Sequence, residues 1–142
     1  MTDPERDALR IQLTEHEGLR LRPYTDIVGK LTIGCGRNLT DKGISLAVAT
    51  EMLEEDIDEA EADLSSFGWF ATCGPIRQRA LLDLRFNLGP SRFRGFRKML
   101  DACEAGNWPR VVDELLDSHW AYQVQPARRD RLARQLRTGV EA

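Results

Sequence analysis

A chain of 142 residues, 42% hydrophobic and 30% charged, has the length of one globular domain or of two small lobes sharing it, and its composition is neither disordered nor fibrous. No apolar run approaches a bilayer span, and Met1-Thr2-Asp3-Pro4-Glu5-Arg6 has no basic segment followed by an apolar one, so neither a membrane anchor nor a signal peptide is expected. The net charge of −3 argues against a nucleic-acid binder, but residues 1–75 carry seven Lys and Arg against fifteen Asp and Glu, whereas residues 76–142 carry thirteen against eight.

Asp3 before Pro4 reads as a cap with a first-turn proline, and Leu9, Leu13 and His16 recur at helical spacing. A first helix over about 4–17 is expected, stopped by Gly18. From Leu19 to Arg37, Pro23, Gly29, Gly34 and Gly36 punctuate short runs of Leu, Tyr, Val, Ile and Thr, the pattern of a small β-hairpin or meander turning at Gly29. Asn38 to Gly43 reads as a polar turn, and Ser45 as the cap of a long helix over about 46–64. On that helix Met52, Leu53, Ile57, Ala60 and Leu64, continued by Phe67, form one stripe, and the run of acids covers the rest as a solvated face.

Gly74-Pro75 opens a second helical section in which Ile76, Ala80, Leu81, Leu84 and Leu88 align before the stop at Gly89-Pro90. Further helices are expected at about 92–105, 109–118 and 127–137. The three cysteines, Cys35, Cys73 and Cys103, are odd in number, far apart and short of histidine partners, so no metal site is expected and free thiols are favoured over a single bridge.

With no phosphate loop, no serine triad and no cofactor motif, chemistry falls to carboxylates. Glu17 ends the first helix, where the negative end of the dipole disfavours its ionised form, so it is a candidate general acid. Asp26 and Thr32 flank the Gly29 turn. Facing each other across the hairpin, a carboxylate and a hydroxyl could hold one water, as inverting glycoside hydrolysis requires with its carboxyls about 6.5–9.5 Å apart. Gly34 and Gly36 leave backbone open to a sugar ring.

The run His16-Glu17-Gly18-Leu19-Arg20-Leu21-Arg22-Pro23-Tyr24-Thr25-Asp26, followed by Gly29-Lys30-Leu31-Thr32-Ile33-Gly34-Cys35-Gly36, closely resembles the phage-type lysozymes, the endolysin muramidases of tailed phages. The resemblance implies an α+β, lysozyme-like two-lobed fold occupying 1–142 as a single domain. A small antiparallel β lobe (about 15–50) would be joined by the long helix to an all-helical lobe (about 70–142) completed by the N-terminal helix. It implies Glu17 as general acid, with Asp26 and Thr32 positioning the attacking water, and no cofactor.

Phe86-Asn87-Leu88-Gly89 resembles the family's cleft segment, so Phe86, Asn87, Asn38 and Arg128 are expected to bind substrate. Arg128, with Arg129 as the alternative, would pair with Glu17. Trp108 and Trp120 read as core residues. Arg37 stands where the family usually has histidine, and with Asp56 is expected to form a structural ion pair that does not titrate at its basic end. The implied substrate is bacterial peptidoglycan, cleaved between N-acetylmuramic acid and N-acetylglucosamine. The protein would act as a monomer, made in the host cytoplasm and released to the wall by a holin-type partner. A silent glycan-binding module, a lytic transglycosylase, and nucleic-acid binding by Arg128, Arg129, Arg131, Arg134 and Arg137 are the competing readings.

Overall fold

The first helix starts one residue earlier than the Asp3-Pro4 signal suggested. Thr2 is its cap: the Thr2 amide and hydroxyl donate to the Glu5 carboxylate at 3.2 and 3.0 Å, and Pro4 sits in the first turn, where its missing N–H has no partner to lose. The computed structural model describes residues 1–141, with helix α1 over Asp3–Glu17 closed by Gly18 at φ +73. The chain divides into two compact units, Met1–Glu51 and Met52–Ala142, with α1 in the first.

In the first unit, strands β1 (Arg20–Thr25), β2 (Leu31–Gly34) and β3 (Arg37–Asn38) form an antiparallel meander in the order β1-β2-β3. Tyr24 pairs with Thr32 and Thr25 with Leu31, while a bulge between Arg20 and Tyr24 shifts the register. The expected polar turn at Asn38–Gly43 is instead the end of β3 followed by a short helix α2 (Leu39–Lys42), because the Asn38 side chain accepts the Asp41 amide and caps it. Helix α3 (Leu46–Ser65) begins where Ser45 promised, with the Ser45 hydroxyl accepting the Val48 amide at 3.2 Å, and runs on into the second unit.

The second unit holds the hydrophobic core. A 3₁₀ turn (Phe70–Thr72) leads into α4 (Pro75–Leu88), and Ala80, Leu81, Leu84 and Leu88 are buried as their spacing predicts. The single helix expected over 92–105 is two, α5 (Pro90–Arg94) and α6 (Arg97–Glu104). Phe93 and Met99, six residues apart, point to different sides of a continuous helix, and both are buried only because the chain breaks at Gly95-Phe96. Then come α7 (Trp108–Leu116), a short α8 (His119–Gln123) that burial of Trp120 and Ala121 rather than periodicity defines, and α9 (Pro126–Thr138). Arg77 of α4 caps α9, donating to the carbonyls of Leu136 and Arg137 at 2.9 and 3.2 Å, and its guanidinium lies over the Trp108 ring. Among the described residues no helix is long and apolar enough to cross a membrane.

The acid-rich face of α3 is not wholly solvated. Arg85, on α4 and 6% exposed, donates to Asp63 at 2.8 Å and to Glu59 at 3.0 Å, and Arg94 of α5 also holds Asp63. Burial alone would raise the Asp63 carboxyl, but the hydrogen bonds and charges of Arg85 and Arg94 outweigh it and hold its pKa below the usual 3.8. Neutralising Asp63 leaves a buried guanidinium partly unpaired. Asp63→Asn is therefore expected to lower unfolding stability by about 3 kcal/mol in urea titrations near pH 7. Because the folded pKa is depressed, the contribution is full above the unfolded value and is lost as pH falls through both values. Melting temperature should thus drop on acidification below about pH 4 more steeply in the wild type than in the variant.

All three cysteines are free: Cys35 is exposed, and Cys73 and Cys103 are buried. Burial, reinforced by the neighbouring Cys73, pushes the Cys103 thiol up to about 12, and burial raises Cys73 as well. A thiol titration of the native protein at pH 8 should count one reactive group per chain, and all three after denaturation.

Candidate active site

Helix α1 ends on Glu17 because Gly18, at positive φ, turns the chain into β1. The Glu17 carboxyl then lies against the β2–β3 loop, at Gly36. A Cβ built on Gly36 would stand 2.9 Å from Glu17 Oε2, and Gly36 has φ +72, so the loop needs glycine there both for its backbone and for the approach of the carboxyl. Glu17 itself is exposed.

Asp26 is fixed by the turn it starts. Its N–H donates to the Lys30 carbonyl at 2.9 Å, and its carbonyl accepts the Gly29 amide at 3.0 Å, with Gly29 at φ +82. Its Oδ1 accepts the amides of Val28 and Lys30 at 3.0 and 2.8 Å. One carboxylate oxygen is thus committed to the backbone, while among the described residues no donor holds Oδ2. Thr32, opposite Tyr24 on β2, is the one buried residue among residues 1–51, and its hydroxyl donates to the Lys30 carbonyl at 3.1 Å. That leaves the Thr32 oxygen able to accept from a water.

The two side chains do not sit directly across the hairpin as expected. Asp26 is opposite Lys30 and Thr32 is opposite Tyr24, so they are diagonal neighbours on one face, a spacing that leaves room between them. The carboxylate and the hydroxyl are joined through one peptide residue, Lys30, which donates to the first and accepts from the second.

Of the residues expected to bind substrate, Asn38 lies in the first unit and Phe86, Asn87 and Arg128 lie in the second. Both ends of the Asn38 side chain are engaged locally: Oδ1 accepts the Asp41 amide, and Nδ2 donates to Asp41 Oδ2, each at 3.0 Å. Asn87 Oδ1 accepts the indole N–H of buried Trp120 at 2.7 Å, which fixes Asn87 and satisfies the tryptophan. Phe86, 45% exposed, and Arg128 line a cleft of about 370 Å³ in the second unit, together with Leu53, Ile57, Leu82 and Asp83. Arg128 is held there by Asp83, donating through Nε at 2.9 Å and through Nη2 to the Asp83 carbonyl at 3.3 Å. The alternative, Arg129, pairs with Asp130 beside it. Arg37, expected to reach Asp56, donates its Nε–H at 3.0 Å to the carbonyl of Gly43, the residue that ends α2 in the first unit. Asp56 lies on α3 in the second unit.

Sequence reasoning passed over Lys30, Asp41 and Asp83, which hold Asp26 and Thr32, Asn38, and Arg128, and Thr40, which accepts the Leu31 amide. Spacing of catalytic residue types carries no signal for such partners. Among the described residues no cluster of His, Cys, Asp and Glu could hold a metal ion. Gly36→Ala should lower stability by about 1–2 kcal/mol for the backbone alone and further for the crowding of Glu17. Gly34→Ala, at φ +68 with no atom near its Cβ position, carries only the backbone part, so denaturant titration of the pair isolates the contact.

Residues 14–135 match the family described as phage lysozyme. Among curated proteins, the chain is 29% identical to the pre-baseplate central spike protein Gp5 of Enterobacteria phage T4, across 89% of this chain and 27% of that protein. It is 26% identical to a probable T4-type lysozyme 2 and 23% identical to a probable T4-type lysozyme 1, both of Dictyostelium discoideum, each across 94% of this chain and 95% of the relative. The chain spans about a quarter of the spike protein but nearly the whole of the two lysozymes. The match covers the α1 end, the meander and most of the helical unit, and with it the chain belongs to the phage lysozyme family of lysozyme-type hydrolases.

Proposed function

We propose that the protein hydrolyses bacterial peptidoglycan at the β-1,4 bond between N-acetylmuramic acid and N-acetylglucosamine. Glu17 protonates the leaving glycosidic oxygen. A water held between Asp26 Oδ2 and the Thr32 oxygen loses its proton to Asp26 and attacks the anomeric carbon from the opposite face, with inversion. The observation that carries this reading is the Asp26 carboxylate, fixed through one oxygen by two backbone amides, one of them that of Lys30, whose carbonyl accepts the buried Thr32 hydroxyl.

A base held in that way needs no reorganisation when the water is deprotonated. Phe86 and Asn87 offer a sugar an apolar face and an amide N–H₂ that no group among the described residues engages, the oxygen of Asn87 being taken by Trp120. The positive surplus of residues 76–142 suits an anionic wall polymer, which a salt-dependent lytic rate would register.

Glu17→Gln and Asp26→Asn are each expected to slow turbidity clearing of peptidoglycan by about 10²–10⁴-fold with folding intact. Thr32→Val should have a smaller effect on rate, since it removes an acceptor for the water but leaves the base. Product analysis decides the class: reducing ends of inverted anomeric configuration are expected. An anhydromuramic product would replace hydrolysis by lytic transglycosylation, and binding without bond cleavage would make the protein a glycan-binding module.

A further inference from the structure

The water-holding pair is supported from one side by a helix of only four residues that the reaction itself does not require. Strand β3 ends at Asn38, so Leu31, paired with Thr25 of β1 on one side, has no β3 residue opposite it on the other. Thr40 of α2 takes its place, its hydroxyl accepting the Leu31 amide at 2.8 Å. One residue along α2, Asp41 Oδ1 accepts the Lys30 ammonium at 3.0 Å, while its Oδ2 is held by Asn38 Nδ2 at 3.0 Å. Lys30 is the residue whose N–H donates to Asp26 Oδ1 and whose carbonyl accepts both the Asp26 amide and the Thr32 hydroxyl. Thr40 and Asp41 therefore grip consecutive residues, Leu31 by its backbone and Lys30 by its side chain, and Lys30 and its peptide join Asp26 to Thr32.

We infer that Asp41 and Thr40 are positioning residues that fix the distance between Asp26 and Thr32 by clamping Lys30 and Leu31 onto α2. The inference rests on the proposed hydrolysis for its catalytic meaning, and on geometry alone for the clamp. A hairpin turn is otherwise free to flex about Gly29, and a small displacement of a base from its water costs rate steeply, about 10²-fold for 1 Å. The Lys30–Asp41 pair is surface-exposed, 38% and 56% for the two side chains, so its removal moves turnover and local turn dynamics far more than overall stability.

The test combines backbone amide exchange by NMR with steady-state hydrolysis of soluble peptidoglycan fragments, in the full chain. Asp41→Ala and Thr40→Val are expected to speed exchange at the Val28 and Lys30 amides by about tenfold, with amides of the helical unit unchanged. They should also lower kcat roughly tenfold with KM kept within about twofold. Asp41→Glu should restore most of kcat, and Lys30→Met combined with Asp41→Ala should be no worse than the poorer single variant, because both break one link. Asp41→Asn, which keeps the bond to Asn38 and loses the charge facing Lys30, serves if the alanine variant does not fold. Lys42→Ala, on the same helix with no ion pair among the described residues, should match the wild type. Unchanged exchange at residues 28 and 30, or a uniform rise in exchange with a matching fall in melting temperature, overturns the clamp. Absence of hydrolysis by the wild type removes the proposed reaction, while the exchange measurement still decides the clamp.

Discussion

The first unit depends on one hydrogen-bonding arrangement, the acceptance of two turn amides by Asp26 Oδ1. Residues 1–51 bury only Thr32, so this unit cannot be ordered by a hydrophobic core of its own. It is ordered by directional bonds: a five-residue turn closed by its first side chain, a loop made of glycines at positive φ, and a capped four-residue helix. Two of these devices also place groups that the proposed chemistry uses. The bonds that close the turn orient the carboxylate, and the glycine that forms the loop makes room for Glu17.

The second unit is built on the opposite principle. Its helices meet through a continuous buried set from Leu64 to Leu136, and specific polar contacts fix them at its margin: Arg85 between Glu59 and Asp63, Trp120 on Asn87, Arg77 on the end of α9. Burying a guanidinium is tolerable only with both carboxylates in place, so the acidic helix face that reads as solvent-facing has a structural task at its last turns. Arg128, Arg129, Arg131 and Arg137 each have a carboxylate partner, and the arginines of α9 do not form an unpaired stripe.

Much of the site is legible in the sequence, because its residues lie within one short run, Glu17 to Gly36, in which turn chemistry and catalytic residue types coincide. The diagonal placement of Asp26 and Thr32 is not legible, since it depends on the register, Tyr24 against Thr32 and Asp26 against Lys30, in which the turn closes. Nor are the roles of Asn38 and Arg128. Each carries side-chain groups that suit a sugar, yet Asn38 has both ends engaged by Asp41 and Arg128 is held by Asp83, a residue 45 positions away in the chain.

By itself, the sequence determined what local interactions determine. These are the ends of α1, α3 and α4 through Gly18, Ser45 and Gly89, the turn at Gly29, and the family-specific order of Glu17, Asp26 and Thr32. Such features depend on residues within about four positions of each other, where backbone sterics and capping bonds act. Only the tertiary structure decided where the helix over 92–105 breaks, that Arg85 is buried, and that Thr40 of α2 accepts the Leu31 amide at the edge of β2. These outcomes follow from competition between local propensity and the burial of Phe93 and Met99, the pairing of a lone charge, or the satisfaction of a strand edge. In each case the deciding partner is brought near by the fold and not by the chain.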